Sequence, residues 1–426
     1  MPIRASQKAL RLGFIALTGL FFAWGFITCL NDILVPHLRS VFHLNYAESA
    51  LVQSAFFLAY FVSSLPSASV VARFGYKRGL VIGLACMALG ALLFVPAASF
   101  VSFPMFLGAL FILASGITLL QVAANPYVTL LGPADSATAR LNLTQAFNSL
   151  GTTLAPLIGG SLLLGAGVVA VDSAAGTSAA AQASTVIAPY AVIAAVLAAA
   201  AVLFLFLPLS EPDERPEKLS LGSVKQSLAV PGLSLGVVGI FLYVGAEVAI
   251  GSFLVSLITT TLGIDPAKAA HYVAFYWGGA MIGRFVGAWL MRYIPPARML
   301  TIFAAGAAAL VTISLTTSGT FSVYAMLAVG LCNSIMFPTI FSLGIRRLGP
   351  LTSVGSSLMV IAIVGGAVVP LAVGTLADHF GLRTAFVLPG LCYLYILFYG
   401  YFGGRVATGE LGVLAESGVP ATSTAP

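Results

Sequence analysis

Long apolar runs, each about the length that crosses a bilayer, follow one another along this chain with only short interruptions of glycine, proline and charge. A helix needs ~20 apolar residues to span the hydrocarbon core. In lipid every backbone polar group must be satisfied within the segment, so such runs fold as helices. The runs lie near residues 11–36, 47–71, 79–98, 104–131, 141–165 and 187–208, then near 233–260, 269–291, 299–316, 321–345, 354–377 and 384–404. An all-α membrane protein of about twelve transmembrane helices is expected. With 59% hydrophobic and 8% charged residues, no water-soluble surface can be built.

A net charge of +6 would suggest nucleic acid in a soluble protein. Here the basic residues sort by loop instead. If the N-terminus is cytoplasmic, that side carries Arg4, Arg73, Lys77, Arg78, Arg140, Arg215, Arg292, Arg298, Arg346 and Arg347 among others, against Arg39, Lys268 and Arg383 opposite. The bias predicts a multi-pass membrane protein with both termini inside and no nucleic-acid partner. Cys29, Cys86, Cys332 and Cys392 lie in apolar stretches without CxxC spacing, which indicates neither a disulfide framework nor a metal site. The start, MPIRASQKALR, resembles a signal peptide but lacks a small-x-small cleavage site, so it reads as an uncleaved first span.

The most charged stretch, SEPDERPEKLSLGSVKQS at 210–227, divides the runs into two sets of six. The expected organisation is an N-terminal six-helix half at 1–209, a cytoplasmic linker at 210–228, a C-terminal half at 229–406 and a disordered tail at 407–426, with an external loop at 166–186. The halves read as a parallel repeat. Gly151, Pro156, Leu157 and Gly160 recur as Gly365, Pro370, Leu371 and Gly374, an offset of 214; Pro126, Leu131 and Gly132 recur as Pro338, Leu343 and Gly344, an offset of 212. Phe21, Gly25, Leu34 and Val35 recur as Phe241, Gly245, Leu254 and Val255, an offset of 220. Three matches in chain order outweigh the chance sharing of Gly and Leu. After the second span of each half comes a small-x-x-x-x-Arg element, Ala68 to Arg73 and Gly287 to Arg292, which is either a conformational gate or a positive-inside anchor.

Of thirteen acidic residues, Asp32 and Glu247 fall inside runs away from the ends. A carboxylate at the bilayer centre costs at least ~2.5 kcal/mol, so each is expected to face a wet cavity, to hold a proton or a sodium ion, or to fix helix packing by a hydrogen bond. Arg284, also within a run, either compensates an acid, serves the gate or snorkels to an interface. At the offset of 220, Asp32 aligns with Ser252 and Glu247 with Ile27, so the acids stand at different depths on corresponding helices. Unequal roles in cation or proton coupling follow.

Amides supply the rest. Gln121 and Asn125 share one helix face at i and i+4, Gln145 and Asn148 lie three apart in RLNLTQAFNSLG, and Gln53 and Tyr60 lie seven apart. With Asn31 and Asn333 these suit a neutral, hydroxyl-rich ligand, on which Trp24 could stack, or they join helices by hydrogen bonds. Asn125, Gln145 and Asn148 pair by repeat with Phe337, Met359 and Ala362, whereas Gln121 pairs with Asn333. One half is thus expected to hold most polar contacts while the other closes over them.

The segments LNDIL at 30–34, QSAFFLAYF at 53–61, AANPYVTLLGP at 123–133, RLNLTQAFNSLG at 140–151, YVGAEVAIGSFL at 243–254, IGRFVGAWL at 282–290 and FPTIFSLGI at 337–345 resemble the fucose–proton symporter and glucose/galactose transporter branch of the major facilitator superfamily. The resemblance covers nearly the whole chain. It implies a major-facilitator fold and a secondary active sugar importer that works by alternating access, with the family's first-helix Asp at Asp32 and the polar pair of its fifth helix at Gln145 and Asn148. Fucose members have a titratable Glu where Gln121 stands, and an amide where Glu247 stands. That departure is similar to the glucose/galactose branch, some of whose members couple to sodium.

The reading is therefore proton- or sodium-coupled symport of a hexose such as glucose or galactose by a monomer, with no bound cofactor. Sugar contacts are expected at Trp24, Asn31, Gln53, Gln121, Asn125, Gln145, Asn148 and Asn333, coupling at Asp32 and Glu247, and gating at Arg73, Arg284 and Arg292. The alternatives are fucose or another deoxy sugar, or an exporter of the same fold. An enzyme is not expected, because His37, His43, His271 and His379 are isolated and no soluble domain is present.

Overall fold

The computed structural model describes residues 6–41, 46–155, 187–212 and 216–408, with the side chains of 7–8, 30–41, 46–51, 53, 266–267 and 403–408 outside the description. Among the described residues all regular structure is helical. Nine stretches are long and apolar enough to cross a membrane. One of them, Ser54–Ser99, bends at Gly75 and supplies the second and third spans. The fifth span, Ala137–Leu154, and the eighth, Pro266–Leu290, are too polar to qualify: they carry Arg140, Asn142, Gln145 and Asn148, and His271 and Arg284. They bring the number of spans to twelve. The other spans are Gln7–Val41, Phe103–Leu130, Ile187–Phe206, Pro231–Leu262, Pro296–Thr316, a tenth in two pieces, an eleventh from Thr352 to Phe380, and Val387–Thr408.

The structure departs from the expected boundaries at four places. The connection expected between 71 and 79 is tighter than a loop: within Tyr46–Ser99 the second span ends and the third begins at a break at Gly75, with φ 85°. Only glycine takes that conformation without strain. The tenth span breaks between Gly319–Asn333 and Met336–Gly344, because Pro338 lacks the N–H that would bond the Ser334 carbonyl. The linker contains a helix, Leu221–Leu228, started by a reciprocal Ser220–Ser223 capping box. The last span reaches Thr408, past the expected start of the tail at 407. The expected external loop at 166–186 and residues 409–426 lie outside the described residues.

Close packing between spans follows the glycine repeat. A Cβ on Gly151 would collide with the backbone of Phe22 and Phe26, and one on Gly365 with the backbone of Phe241. Gly25 lies against Asn148, and Gly245 against Val369 and Gly365. Lipid offers no hydrophobic drive between helices, so such small-residue contacts hold the first span on the fifth and the seventh on the eleventh.

The linker is docked on one end of the bundle. Glu211 accepts the backbone N–H groups of Tyr76 at 3.0 Å and Lys77 at 2.7 Å, immediately after the Gly75 bend. The Tyr127 hydroxyl donates to the Ser210 carbonyl at 2.8 Å, and Glu217 N–H to the Pro350 carbonyl at 2.8 Å. A carboxylate on the free N–H groups at a helix start is favoured by their partial positive charge. Glu211→Ala is expected to lower stability by about 0.5–1 kcal/mol and to speed amide exchange at Tyr76 and Lys77, as read by hydrogen–deuterium exchange in detergent.

Candidate functional site

Two buried polar clusters lie inside the bundle, one from each half of the chain. In the first, the Gln121 amide donates to the Tyr60 hydroxyl at 2.6 Å, joining the fourth span to the second. The Gln145 amide donates to Asn125 Oδ1 at 3.4 Å, joining the fifth to the fourth. Asn125 Nδ2 and Thr28 Oγ1 are sealed from solvent without a partner. A buried polar group left unmade costs about 1–3 kcal/mol, so the Asn125 amide holds a donor for which the described residues offer no acceptor.

The structure does not bring all the expected residues to this cluster. Asn148 donates to the Phe21 carbonyl at 2.9 Å and ties the fifth span to the first beside Gly25. Trp24 is buried against Phe21, ring centroids 5.4 Å apart. Arg73 and Arg292 are exposed, the former over the Phe74 ring at 5.3 Å. Asn31 and Asp32 sit on the helix Gln7–Val41 and Gln53 on Tyr46–Ser99, but their side chains lie outside the described residues.

The second cluster surrounds Glu247. Tyr243, one turn earlier on the seventh span, donates its hydroxyl to the Asn333 carbonyl at 3.0 Å and also interacts with the Glu247 carboxyl group. The Asn333 amide donates to the Tyr276 hydroxyl at 2.7 Å, and that hydroxyl donates to the Glu247 backbone carbonyl at 3.3 Å. Tyr393 of the twelfth span is fully buried in the same group. Glu247 Oε1, Asn333 Oδ1 and Tyr393 Oη are sealed without partners. An unpaired buried charge costs about 3–5 kcal/mol, so this arrangement suits a neutral, protonated Glu247.

Proline positions explain how the halves touch. Pro338 frees the Ser334 carbonyl, and Arg284 Nε donates to it at 2.9 Å. Pro126, the repeat mate of Pro338, frees the Val122 carbonyl, and the Ser356 hydroxyl of the eleventh span donates to it at 3.0 Å, from one half to the other. Further inter-half bonds run from Asn142 to the Thr339 hydroxyl at 3.3 Å and from Ser342 to the Thr138 hydroxyl at 2.9 Å. These bonds close the linker side. A recess of about 460 Å³ between Asp135, Thr138, Pro295, Arg346 and Thr352 ends at that closure and is lined by neither cluster.

The two clusters meet at Arg284. Besides Ser334, its guanidinium donates to the Ser149 hydroxyl and, at 3.5 Å, to the Gln145 carbonyl, both on the fifth span. Its charge also acts on the Glu247 carboxyl. Phe147 and Phe285 pack edge to face beside it, centroids 5.6 Å apart.

The family model described as Major Facilitator Superfamily matches residues 14–362. The chain belongs to that superfamily. Membership makes it a multi-pass transporter rather than an enzyme, with the helical architecture described above. It is 50% identical over 405 residues to a glucose/galactose transporter of Brucella abortus, covering 94% of this chain and 96% of the relative. It is 36% identical over 414 residues to the L-fucose-proton symporter of Escherichia coli, covering 93% and 94%. A solved structure of the superfamily transporter FucP in the outward conformation superposes with a TM-score of 0.86 at 34% identity, covering 93% of this chain and 99% of that one.

Tyr243, Tyr276, Tyr393, Ser149, Ser356 and Glu211 escaped the sequence reading. Tyrosines inside apolar runs count as aromatics, and their hydroxyls are invisible to a search for amides and charges. One usable signal was present: Tyr243 and Glu247 are i and i+4, and a carboxyl group inside a span needs a partner on its own helix face.

Proposed function

We propose that this transporter is a cation-coupled sugar symporter of the bacterial inner membrane, taking a hexose such as glucose or galactose with a proton or a sodium ion. The observation that carries this is the meeting of an amide cluster in one half with a carboxyl cluster in the other at a single arginine. Gln121, Asn125 and Gln145 offer the donor and acceptor pairs that sugar hydroxyls need, and the unpartnered Asn125 Nδ2 and Asn333 side-chain Oδ1 leave one of each open. Glu247 offers the group that changes charge. The name of the 50% identical relative, and of the fucose–proton symporter, supports the same substrate class.

Residues 1–209 and 229–406 act as the two halves that rock about the site, joined by the linker at 210–228, with both termini on the cytoplasmic side and one chain sufficient. The inter-half bonds at Asn142, Ser342 and Ser356 then close the cytoplasmic side, an outward-directed state. Asn31, Gln53, Trp24 and Asn148 complete the sugar's surroundings directly or by fixing the first and fifth spans. Asp32 shares the coupling with Glu247, while Arg73 and Arg292 act at the turns.

The test is uptake of labelled hexoses into liposomes with proton and sodium gradients imposed separately. Accumulation of glucose or galactose driven by one gradient is expected. Uptake that only equilibrates, whichever gradient is applied, contradicts the proposal. In the same assay Asp32→Asn is expected to lose concentrative uptake, and survival of that uptake removes Asp32 from the coupling.

A further inference from the structure

We propose that Arg284 is an exchangeable latch between the halves of the sugar-free transporter: it holds the fifth span while Glu247 is protonated and moves to Glu247 when that carboxyl is ionised, removing one of the bonds that join the halves. The inference rests on the coupling role of Glu247 and adds the route by which its charge reaches the sugar side.

Proton bookkeeping gives the first half of the argument. Tyr243 has one hydroxyl proton, and it is given to the Asn333 carbonyl. Toward Glu247 the same oxygen can present only a lone pair, so a carboxylic acid, with a proton to donate, fits there. An ionised Glu247 would face that lone pair and keep Oε1 sealed without a partner. The carboxylate would need a donor, and among the described residues the cation beside it is Arg284, bonded to the Ser334 carbonyl one residue from the Asn333 carbonyl that Tyr243 holds.

The second half concerns what Arg284 does meanwhile. One guanidinium holds two spans: Nε stays on the Ser334 carbonyl freed by Pro338, and a terminal nitrogen reaches Ser149 and the Gln145 carbonyl in the other half. The latter contacts are to neutral groups, so a carboxylate competes well for that nitrogen. A planar fork can hold Ser334 with Nε while exchanging the partner of its terminal nitrogen. Since Gln145 belongs to the amide cluster, the swap changes the sugar side when Glu247 changes charge.

The groups facing Glu247 narrow the source of such a switch. The eighth span presents Tyr276 and Arg284, the twelfth Tyr393, and Tyr243 lies on the same helix. Cys332 and Cys392 lie nearer to Tyr393. The eleventh span packs parallel to the seventh, and its titratable groups, Asp378 and His379, lie near its end. Among the described residues Arg284 is the cation of the group.

Spin labels at Ala134→Cys and Arg346→Cys, both exposed on the linker side, report the separation of the halves by pulsed electron resonance. The full chain is used in lipid, with the four native cysteines replaced, between about pH 5 and about pH 9. A short separation is expected at acid pH, with a longer one becoming the majority at alkaline pH. Without sugar, Glu247→Gln is expected to keep the short separation throughout, and added hexose, which competes for the fifth-span contacts of Arg284, to lengthen it. Arg284→Gln is expected to give a mixture that does not respond to pH, and Ser149→Ala, which leaves the arginine in place, to show the longer separation already at acid pH. If Glu247→Gln is insensitive while Arg284→Gln and Ser149→Ala respond like the parent, the latch is overturned and the coupling role of Glu247 stands. If Glu247→Gln itself keeps the full response, that role falls, and the latch with it.

Discussion

Glu247→Gln is expected to abolish gradient-driven accumulation of sugar while sugar-for-sugar exchange across the same membrane continues. The amide has nearly the shape of the protonated carboxyl and can donate to the Tyr243 oxygen as the acid would, so the second cluster keeps its packing. It cannot take a charge, so the cycle loses the step that commits it to a cation. An imposed difference of about two pH units is worth about 2.7 kcal/mol per proton, enough for about a hundredfold concentration ratio. In the variant that ratio is expected to fall to about one. Exchange needs only the loaded halves to rock in both directions and should persist, which liposomes preloaded with unlabelled sugar measure. Loss of both activities would mean that Glu247 is structural.

Gly365→Val is expected to be the most damaging single substitution outside the polar clusters. Its Cβ would lie on the Phe241 backbone, which cannot swing aside as a side chain can. Overpacking costs of about 1–3 kcal/mol are typical where side chains yield, and about 3 kcal/mol or more is expected here, because the seventh and eleventh spans must separate. The seventh span carries Tyr243 and Glu247, so the site would shift with it. Thermal unfolding followed by fluorescence in detergent checks this, and Gly374→Ala is a control, because a Cβ there meets only the Phe253 ring at 3.3 Å.

Much of the fold was legible because lipid leaves the backbone few options. Run length placed most spans, and two glycines that marked the repeat, Gly151 and Gly365, lie in the structure at the seams with Phe22 and Phe241. What escaped was local backbone chemistry. Gly75 turns the chain within a single residue, so the second and third spans follow one another with almost no loop between them. Pro338 was used as a repeat marker, yet its physical effect, a carbonyl without a donor, decides where Arg284 goes.

The two polar clusters were legible in three of their amides and in Glu247, and not in their hydroxyls. Gln121, Asn125 and Gln145 do gather, since residues on one face of adjacent helices meet when those helices pack. Asn148 shares their sequence pattern but faces the Phe21 carbonyl instead. Counting amides made the second half look empty, whereas Tyr243, Tyr276 and Tyr393 make it polar around Glu247 and Asn333. A tyrosine serves packing with its ring and bonding with its hydroxyl, and sequence periodicity reports only the ring.

Obligatory linkage between sugar movement and the charge of Glu247 is the central claim, and hexose-induced cation flux in liposomes tests it most directly. With no gradient imposed, adding glucose or galactose outside should draw a proton or sodium ion inward with the sugar, seen with a pH electrode or a sodium tracer, and Glu247→Gln should draw neither. Hexose-induced flux of the same size in Glu247→Gln as in the parent would contradict the claim.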